Sequence, residues 1–185
     1  MKITLAQINP TVGDIEGNLI KIKNAILKAI SNKSDVIIFP ELSLLGYPPF
    51  DLLKNRIIRD KLEKALPKIL EENFSINILL GAPSFENDKI YDSVYWIKGN
   101  KVIKRIDKFY SSNDLLGQND YFSKDTKPEY IEIDDKKIGL LIGDDALFSH
   151  DSSRFNNYFK NSDLILIVSS SFYYLSLIHI SEPTR

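Results

Sequence analysis

The fold of this chain is decided by residues 36–49, which run Val-Ile-Ile-Phe-Pro-Glu-Leu-Ser-Leu-Leu-Gly-Tyr-Pro-Pro. The apolar run from Val36 to Phe39 predicts a buried strand. Glu41 follows its carboxyl end, which is where open α/β sheets place their ligands. The glycine and prolines after it indicate a loop. We therefore expect Glu41 to point into a cleft and to take part in chemistry.

Composition excludes several classes of protein. The chain has 185 residues, of which 43% are hydrophobic, and a net charge of −1, which is typical of one soluble domain with a sizeable core. This balanced charge predicts no nucleic-acid partner. Every apolar run is far shorter than the roughly 20 residues of a membrane-spanning helix, so no membrane partner is expected. The amino terminus shows no apolar signal region, which predicts a cytoplasmic protein.

The absence of cysteine restricts the chemistry further. With no cysteine in the sequence, disulfides, thiolate metal sites and thiol nucleophiles are all excluded. The two histidines, His150 and His179, are too few for a histidine-based metal site. We therefore predict no metal site in this chain.

Apolar spacing predicts alternating strands and helices, followed by hairpins. The first half contains expected strands at 2–8, 36–39 and 76–80 and helices at 19–30 and 52–72, the second with a kink or break at Pro67. The second half contains expected strands at 90–98, 101–106, 130–133, 138–142 and 164–168 and a short helix at 153–160. Turns are expected at Gly99-Asn100 and Asp134-Asp135, and the polar segment 108–125 predicts a functional loop or lid. The pattern indicates an α/β layered fold.

Two stretches carry a resemblance to a known family. The opening Ala-Gln-Ile-Asn-Pro-Thr-Val-Gly-Asp at 6–14, followed by Asn18, and the string from Phe39 to Leu53 resemble the nitrilase, or carbon-nitrogen hydrolase, superfamily. Within it they are similar to the amino-terminal glutaminase domain of glutamine-dependent NAD synthetases. The resemblance covers residues 1–174. It implies a nitrilase-type α-β-β-α layered sandwich that is incomplete at the carboxyl terminus, and therefore a partial amidase domain at 1–174.

The resemblance also implies roles for individual residues. In the family a Glu, a Lys and a Cys hydrolyse an amide: the Glu takes the thiol proton, the thiolate attacks, and the Lys stabilises the oxyanion. Glu41 falls on the general base and Lys108 on the lysine, while Gly143 falls on the nucleophile. Tyr47 and Ser171 fall on positions implied to contact substrate.

The nucleophile position departs from the family. Its motif Gly-x-x-Ile-Cys-Glu-Asp corresponds here to Gly-Leu-Leu-Ile-Gly-Asp-Asp at 139–145. Further departures are Phe-Tyr-Ser-Ser after Lys108 instead of Leu-Pro-Asn-Tyr, Gln118 instead of a second Glu, and serines at 169–171 instead of Asn-Ala-Ser. Because no thiol is available, we predict an inactive amidase site.

The resemblance implies partners that this chain does not contain. In the family the ammonia, from glutamine or free in solution, amidates nicotinic acid adenine dinucleotide in a carboxyl-terminal synthetase domain. We expect that missing domain to use ATP and magnesium, this domain to bind no cofactor, and the full protein to form a homo-oligomer. Residues 175–185 resemble a translated sequencing adapter, so we predict a non-native tail there.

Three alternatives stay open at this point. The chain could be an active carbon-nitrogen hydrolase whose cysteine was lost to sequence error, or a stand-alone pseudoamidase that binds a small amide between Glu41 and Lys108. A different nucleophile, Asp144 or one of the serines at 169–171, is disfavoured because it needs an aligned base. For Asp144-Asp145, a turn or cap role is favoured over a metal pair.

Overall fold

The structure is a computed structural model, and it describes residues 1–110, 121–124, 128–150 and 159–170. Within these ranges the regular elements are two α-helices, two 3₁₀-helices and eight strands. The helices are α1 (Ile15–Ser31) and α2 (Arg56–Leu70), and the 3₁₀-helices are Phe50–Lys54 and Gly143–His150. The strands are β1 (Ile3–Leu5), β2 (Val36–Ile38), β3 (Phe74–Glu86), β4 (Lys89–Gly99), β5 (Lys101–Asp107), β6 (Glu129–Ile133), β7 (Lys136–Ile142) and β8 (Leu164–Val168).

The strands form two sheets. The larger has the order β1-β2-β3-β4-β5, and the smaller has the order β6-β7-β8. Strands β1, β2 and β3 are parallel, whereas β3, β4 and β5 form antiparallel hairpins. In the smaller sheet β6 and β7 are antiparallel and β7 and β8 are parallel. Several strands of the two sheets can therefore bring their carboxyl ends to one edge.

The sheets and helices pack in layers. Helices α1 and α2 cover one face of the larger sheet, where Ile22 and Ile26 of α1 share a core with Ile37 of β2. The other face packs against the smaller sheet, with Val36 and Ile38 in the second core. Strand β2 is thus buried on both faces, which explains its uninterrupted apolar run. The α/β class is confirmed, and the described residues supply a helical layer and the two sheets.

Capping residues move the helix boundaries away from the predicted positions. Helix α1 begins at Ile15 rather than Leu19 because Asp14 caps it, its Oδ1 accepting the Gly17 N–H at 3.0 Å. The single helix predicted at 52–72 was wrong: Asn55 separates a 3₁₀ turn from α2 and accepts the Ile57 N–H at 2.9 Å. Pro67 does not break α2, which continues to Leu70.

Strand β3 is much longer than predicted. It was expected to end near Leu80, but it continues through Gly81 and Pro83 to Glu86 because β4 pairs with it along this whole length. Strand β1 is shorter than predicted, since the backbone turns after Leu5, where Gln7 N–H donates to Leu5 O at 3.1 Å.

Both predicted hairpin turns are present. Gly99, the last residue of β4 before the turn into β5, has a φ of 60°. Asp134 and Asp135, between β6 and β7, have φ values of 49° and 59°, as a two-residue hairpin turn requires. Most of the predicted loop at 108–125 and of the predicted helix at 153–160 lies outside the described residues. In the ranges that are described, neither α-helix has the length and apolarity needed to cross a bilayer.

Candidate active site

Glu41 lies in the loop that leaves the carboxyl end of β2, and its side chain is buried, with 2% of the residue exposed. Backbone hydrogen bonds fasten this loop to its surroundings. Leu44 N–H donates to Gly81 O of β3 at 3.3 Å, and Gly13 N–H donates to Leu45 O at 2.8 Å. Glu41 is therefore placed by the backbone of two neighbouring segments, as expected for a residue at a strand end.

Asn18 provides a side-chain brace for the same loop. It is fully buried on α1, and its Nδ2 donates to Thr11 O at 2.8 Å and to Leu44 O at 3.2 Å. Its Oδ1 accepts the Thr11 N–H at 2.8 Å. One amide thus joins the opening turn to the Glu41 loop, which gives a physical reason for Asn18 in the stretch that carried the family resemblance.

The Glu41 carboxylate is held from two sides. Its Oε1 lies 3.3 Å from Lys108 Nζ, and its Oε2 accepts the Ser170 N–H at 2.8 Å. Ser170 Oγ also donates to the Glu41 carbonyl at 3.0 Å. Because Lys108 follows β5 and Ser170 follows β8, the carboxylate joins the carboxyl ends of strands from both sheets.

Lys108 is buried beside several carboxylates. Its N–H donates to Asp92 O at 2.8 Å, and 8% of the residue is exposed. Burial by itself lowers the pKa of the Lys108 ammonium, but the nearby charges of Glu41 and Asp92, with a contribution from Asp144, outweigh it and raise the pKa above its usual value. Lys108 is therefore a charged partner for Glu41 throughout the neutral pH range.

Gly143 stands against both of these side chains. It has a φ of 51° and connects β7 to the 3₁₀-helix Gly143–His150. A Cβ added to Gly143 would lie 2.3 Å from Glu41 Oε1 and 2.8 Å from Lys108 Nζ. A sharp strand-to-helix turn is the backbone geometry of a nucleophile elbow. The structure thus brings the three sequence-predicted positions together, while their catalytic roles stay predictions.

Asp145 connects the elbow to the segment after Lys108. Its Oδ2 accepts the Ile142 N–H at 3.0 Å, and its Oδ1 accepts those of Phe109 at 3.1 Å and Tyr110 at 2.7 Å. Burial raises the pKa of the Asp145 carboxyl to about 7 in spite of these backbone hydrogen bonds. Asp145 therefore acts as a cap. No group of three or more His, Cys, Asp or Glu within the described ranges is arranged to hold a metal ion.

Asp92 was missed by the sequence reasoning. It lies on β4 and is 2% exposed, and its carbonyl holds the Lys108 backbone. Burial raises the pKa of the Asp92 carboxyl well above its usual range, and the adjacent Glu41 raises it further. The sequence did contain a signal for Asp92. This residue lies two positions before Val94 and therefore on the same face of β4, and the β4 residues in the second core are apolar.

The two predicted substrate-binding residues have different outcomes. Tyr47 lies half-buried in the loop that carries Glu41, before a cis peptide bond to Pro48. Its contact with substrate stays a prediction. Ser171 lies outside the described residues, and its neighbour Ser170 is the serine that binds Glu41.

A cavity of about 210 Å³ lies elsewhere, between α2 and β3 to β5. Its walls include Leu62 and Leu66 of α2 together with Phe85 and Tyr95, and neither Glu41 nor Lys108 belongs to them. The chemistry suggested by the buried charges is therefore separate from this cavity. At the charged site a buried carboxylate and a buried ammonium lie around a position that has no side chain.

The carbon-nitrogen hydrolase family profile matches residues 2–175 of the chain. A curated relative, the glutamine-dependent NAD(+) synthetase of Aquifex aeolicus, is 34% identical over 188 residues, which cover 98% of this chain and 32% of the relative. The chain thus spans about a third of the length of that curated relative.

Solved structures show the same fold. The glutamine-dependent NAD+ synthetase of Acinetobacter baumannii, solved with adenosine diphosphate, superposes with a TM-score of 0.86 at 28% identity, covering 96% of this chain and 34% of that one. An amidase of the nitrilase superfamily from Nesterenkonia AN1 superposes with a TM-score of 0.81 at 16% identity, covering 96% of this chain and 68% of the amidase. The layered arrangement of this chain is that of nitrilase-superfamily proteins.

Proposed function

The chain belongs to the carbon-nitrogen hydrolase family, and from this premise we propose that it is the amino-terminal amidase part of a glutamine-dependent NAD(+) synthetase whose glutamine-hydrolysing site is inactive. The synthetase assignment is supported by the name of the relative that is 34% identical over 98% of this chain. A carboxyl-terminal domain that uses ATP and magnesium would then amidate nicotinic acid adenine dinucleotide with free ammonia. The present domain would serve as its scaffold and as a contact in a homo-oligomer.

The single observation that supports inactivity is the position of Gly143. A nucleophile must lie within hydrogen-bond reach of its base, and position 143 is directly adjacent to Glu41 and Lys108. Glycine offers no atom for the attack. Without a thiol no acyl-thioester forms, so the carboxylate and the ammonium have no nucleophile at position 143 to act on.

The hydrolytic part is tested by ammonia release from L-glutamine. The 185-residue chain and its Gly143→Ala variant are expected to release no ammonia above the buffer control. Ammonia release by the unaltered chain that is abolished in Glu41→Gln would overturn the proposal. The synthetase part is tested separately by sequencing the gene downstream, where a reading frame without an ATP-dependent synthetase domain would contradict it.

A second candidate is an active amidase that carries cysteine at position 143. The left-handed backbone of Gly143 and the intact pair of Glu41 and Lys108 favour it, because both suit an elbow nucleophile. Resequencing codon 143 from the source DNA decides between the two candidates. A cysteine codon supports the active amidase, and a glycine codon supports the inactive one.

A further inference from the structure

The buried cluster around Glu41 contains more acidic groups than basic ones. Glu41, Asp92 and Asp145 are 2%, 2% and 1% exposed, and Lys108, at 8%, is the ammonium that lies among them in the described ranges. If all three carboxyls were ionised, the cluster would carry two uncompensated negative charges away from water. Such burial is very costly, and carboxyls in this situation bind protons instead.

The hydrogen-bond partners of Glu41 and Asp92 differ, and the difference indicates which of the two carboxyl groups binds a proton. Both Glu41 oxygens already accept a hydrogen bond, Oε1 from Lys108 Nζ and Oε2 from the Ser170 N–H. Asp92 is different, because its Oδ1 has no hydrogen-bond partner among the described residues. Its carboxyl group lies beside the Glu41 carboxylate, close enough for a hydrogen bond. Two ionised carboxylates can only accept, so a hydrogen bond between these groups requires a proton on one of them.

We propose that Asp92 carries this proton and donates it in a hydrogen bond to Glu41, giving that carboxylate a hydrogen-bond donor at a site where position 143 offers no side chain. Asp92 is thus a positioning residue: it holds the Glu41 side chain directed at Lys108. The inference concerns the side chains of this chain and does not depend on the proposed function.

The surrounding charges agree with this assignment. The titratable groups that face Asp92 are Glu41 from the loop after β2, Lys108 after β5 and Asp145 after β7. Burial is the main cause that raises the pKa of Asp92, Glu41 adds to it, and Lys108 opposes it only in part. The Lys108 ammonium is already paired with Glu41. Asp92 therefore has no cation of its own to stabilise a negative charge.

The consequence is proton binding on folding. An acid whose folded-state pKa is raised stabilises the fold below its unfolded pKa of about 4 and loses that stabilisation as pH rises towards the folded-state pKa. For each such proton the unfolding constant increases by up to about tenfold per pH unit. The Asp92→Asn variant keeps the size of the side chain and an N–H donor for Glu41 but cannot titrate. We expect the pH dependence of the unfolding free energy above the unfolded pKa of about 4 to be weaker by about one proton in this variant.

The experiment measures urea unfolding of the 185-residue chain, of Asp92→Asn and of Asp107→Asn as a function of pH. Asp107 is a matched control, because it is also buried in the larger sheet but binds Ser93 Oγ at 2.5 Å and Arg105 at 2.9 Å. Asp107→Asn should lose stability and keep the part of the slope that Asp92 supplies. An unchanged slope in Asp92→Asn would overturn the proposal.

Infrared spectroscopy provides a second readout that a purely structural role would not change. The chain at neutral pH should show the C=O band of a protonated carboxyl, and this band should decrease in Asp92→Asn and persist in Asp107→Asn. A neutral isostere should also fold, because the native side chain is itself neutral. An Asp92→Asn chain that does not fold under conditions where Asp107→Asn does would count against a protonated Asp92.

Discussion

Gly81 and Gly143 approach Glu41 from two directions, and the folded chain constrains them differently. A Cβ at Gly81 would lie 2.2 Å from Pro40 O and 2.8 Å from Leu42 N, which are backbone atoms of the Glu41 loop. A Cβ at Gly143 would meet the ends of the Glu41 and Lys108 side chains. Backbone cannot move aside cheaply, whereas side-chain ends can rotate. The fold therefore requires glycine at 81, whereas packing alone does not require it at 143.

Lys108→Met should have the largest effect at this site, because it removes the ammonium that the Glu41 carboxylate faces. We expect a loss of about 3–5 kcal/mol in the free energy of unfolding, since it leaves Glu41 buried without its cation. Urea denaturation measures this loss. Glu41→Gln serves as the comparison and should lose less, because Asp92 can then ionise and pair with Lys108. Equal losses in the two variants would contradict a protonated Asp92.

Gly81→Ala tests the claim that the Glu41 loop needs a glycine beneath it. The added methyl group would press on Pro40 O, and the loop would shift or β3 would bend. We expect a loss of about 3 kcal/mol, at the upper end of the usual cost of overpacking. Thermal and urea unfolding measure it. Ala82→Gly, one position along β3, provides the control, and a Gly81→Ala chain as stable as the native one would show that the loop yields easily.

Gly143→Ala tests the other half of the comparison. The two clashing side-chain ends can move, so the main cost is the left-handed backbone at a φ of 51°. We expect a loss of about 1–2 kcal/mol, smaller than that of Gly81→Ala. The companion variant Gly143→Cys should lose a similar amount.

The Gly143→Cys variant also has a chemical readout. Lys108 and the adjacent elbow should lower the pKa of the introduced thiol and increase its rate of alkylation by iodoacetamide. The reference is a cysteine at an exposed position, introduced as Ser31→Cys. A thiol at 143 that reacts more slowly than the one at 31 would show that the site no longer activates a nucleophile.

The change in stability over a single pH unit is comparable with the effect of Gly143→Ala and tests the contacts of the elbow. The pKa of Asp145 is raised to about 7, above its unfolded value of about 4, so the folded state binds the proton more tightly. Stability should be greatest at low pH within this range and should fall as pH rises to 7. One such group contributes about 1.4 kcal/mol per pH unit, for example between pH 5 and pH 6. The unfolding free energy measured at these two values tests this.

Asp145→Asn is the control for that titration. This variant should weaken the pH dependence of the unfolding free energy by about one proton. It should also destabilise the elbow, because the amide nitrogen that replaces one carboxylate oxygen cannot accept a hydrogen bond from a backbone N–H. A slope unchanged from that of the native chain would assign the titration to another group.

Local sequence signals predicted much of the fold. The apolar run of β2, the helical spacing of α1 and α2, and the two hairpin turns depend on short-range patterns and were all present in the structure. The failures have two causes. Gly81 and Pro83 are turn formers by themselves, but pairing with β4 keeps them in an extended strand. The start of α2 was missed because the cap at Asn55 depends on a backbone contact rather than on hydrophobic spacing.

The site shows the same division. Sequence motifs placed Glu41, Lys108 and Gly143 at one location, and the structure brings them together. Asp92 and Ser170 were not selected, because nothing in their own segments shows that they would face Glu41. Their roles depend on the distance between strands from two different sheets.

The sequence by itself determined the family, the layered class of fold and the missing thiol, because these depend on residue identity and on spacing along the chain. Only the tertiary structure decided that Gly143 abuts the Glu41 and Lys108 pair, that Ser170 closes the other side, and that three carboxyls surround one ammonium. Electrostatic energies in a buried site depend on distance and on exclusion of water, and neither is set until the two sheets pack together.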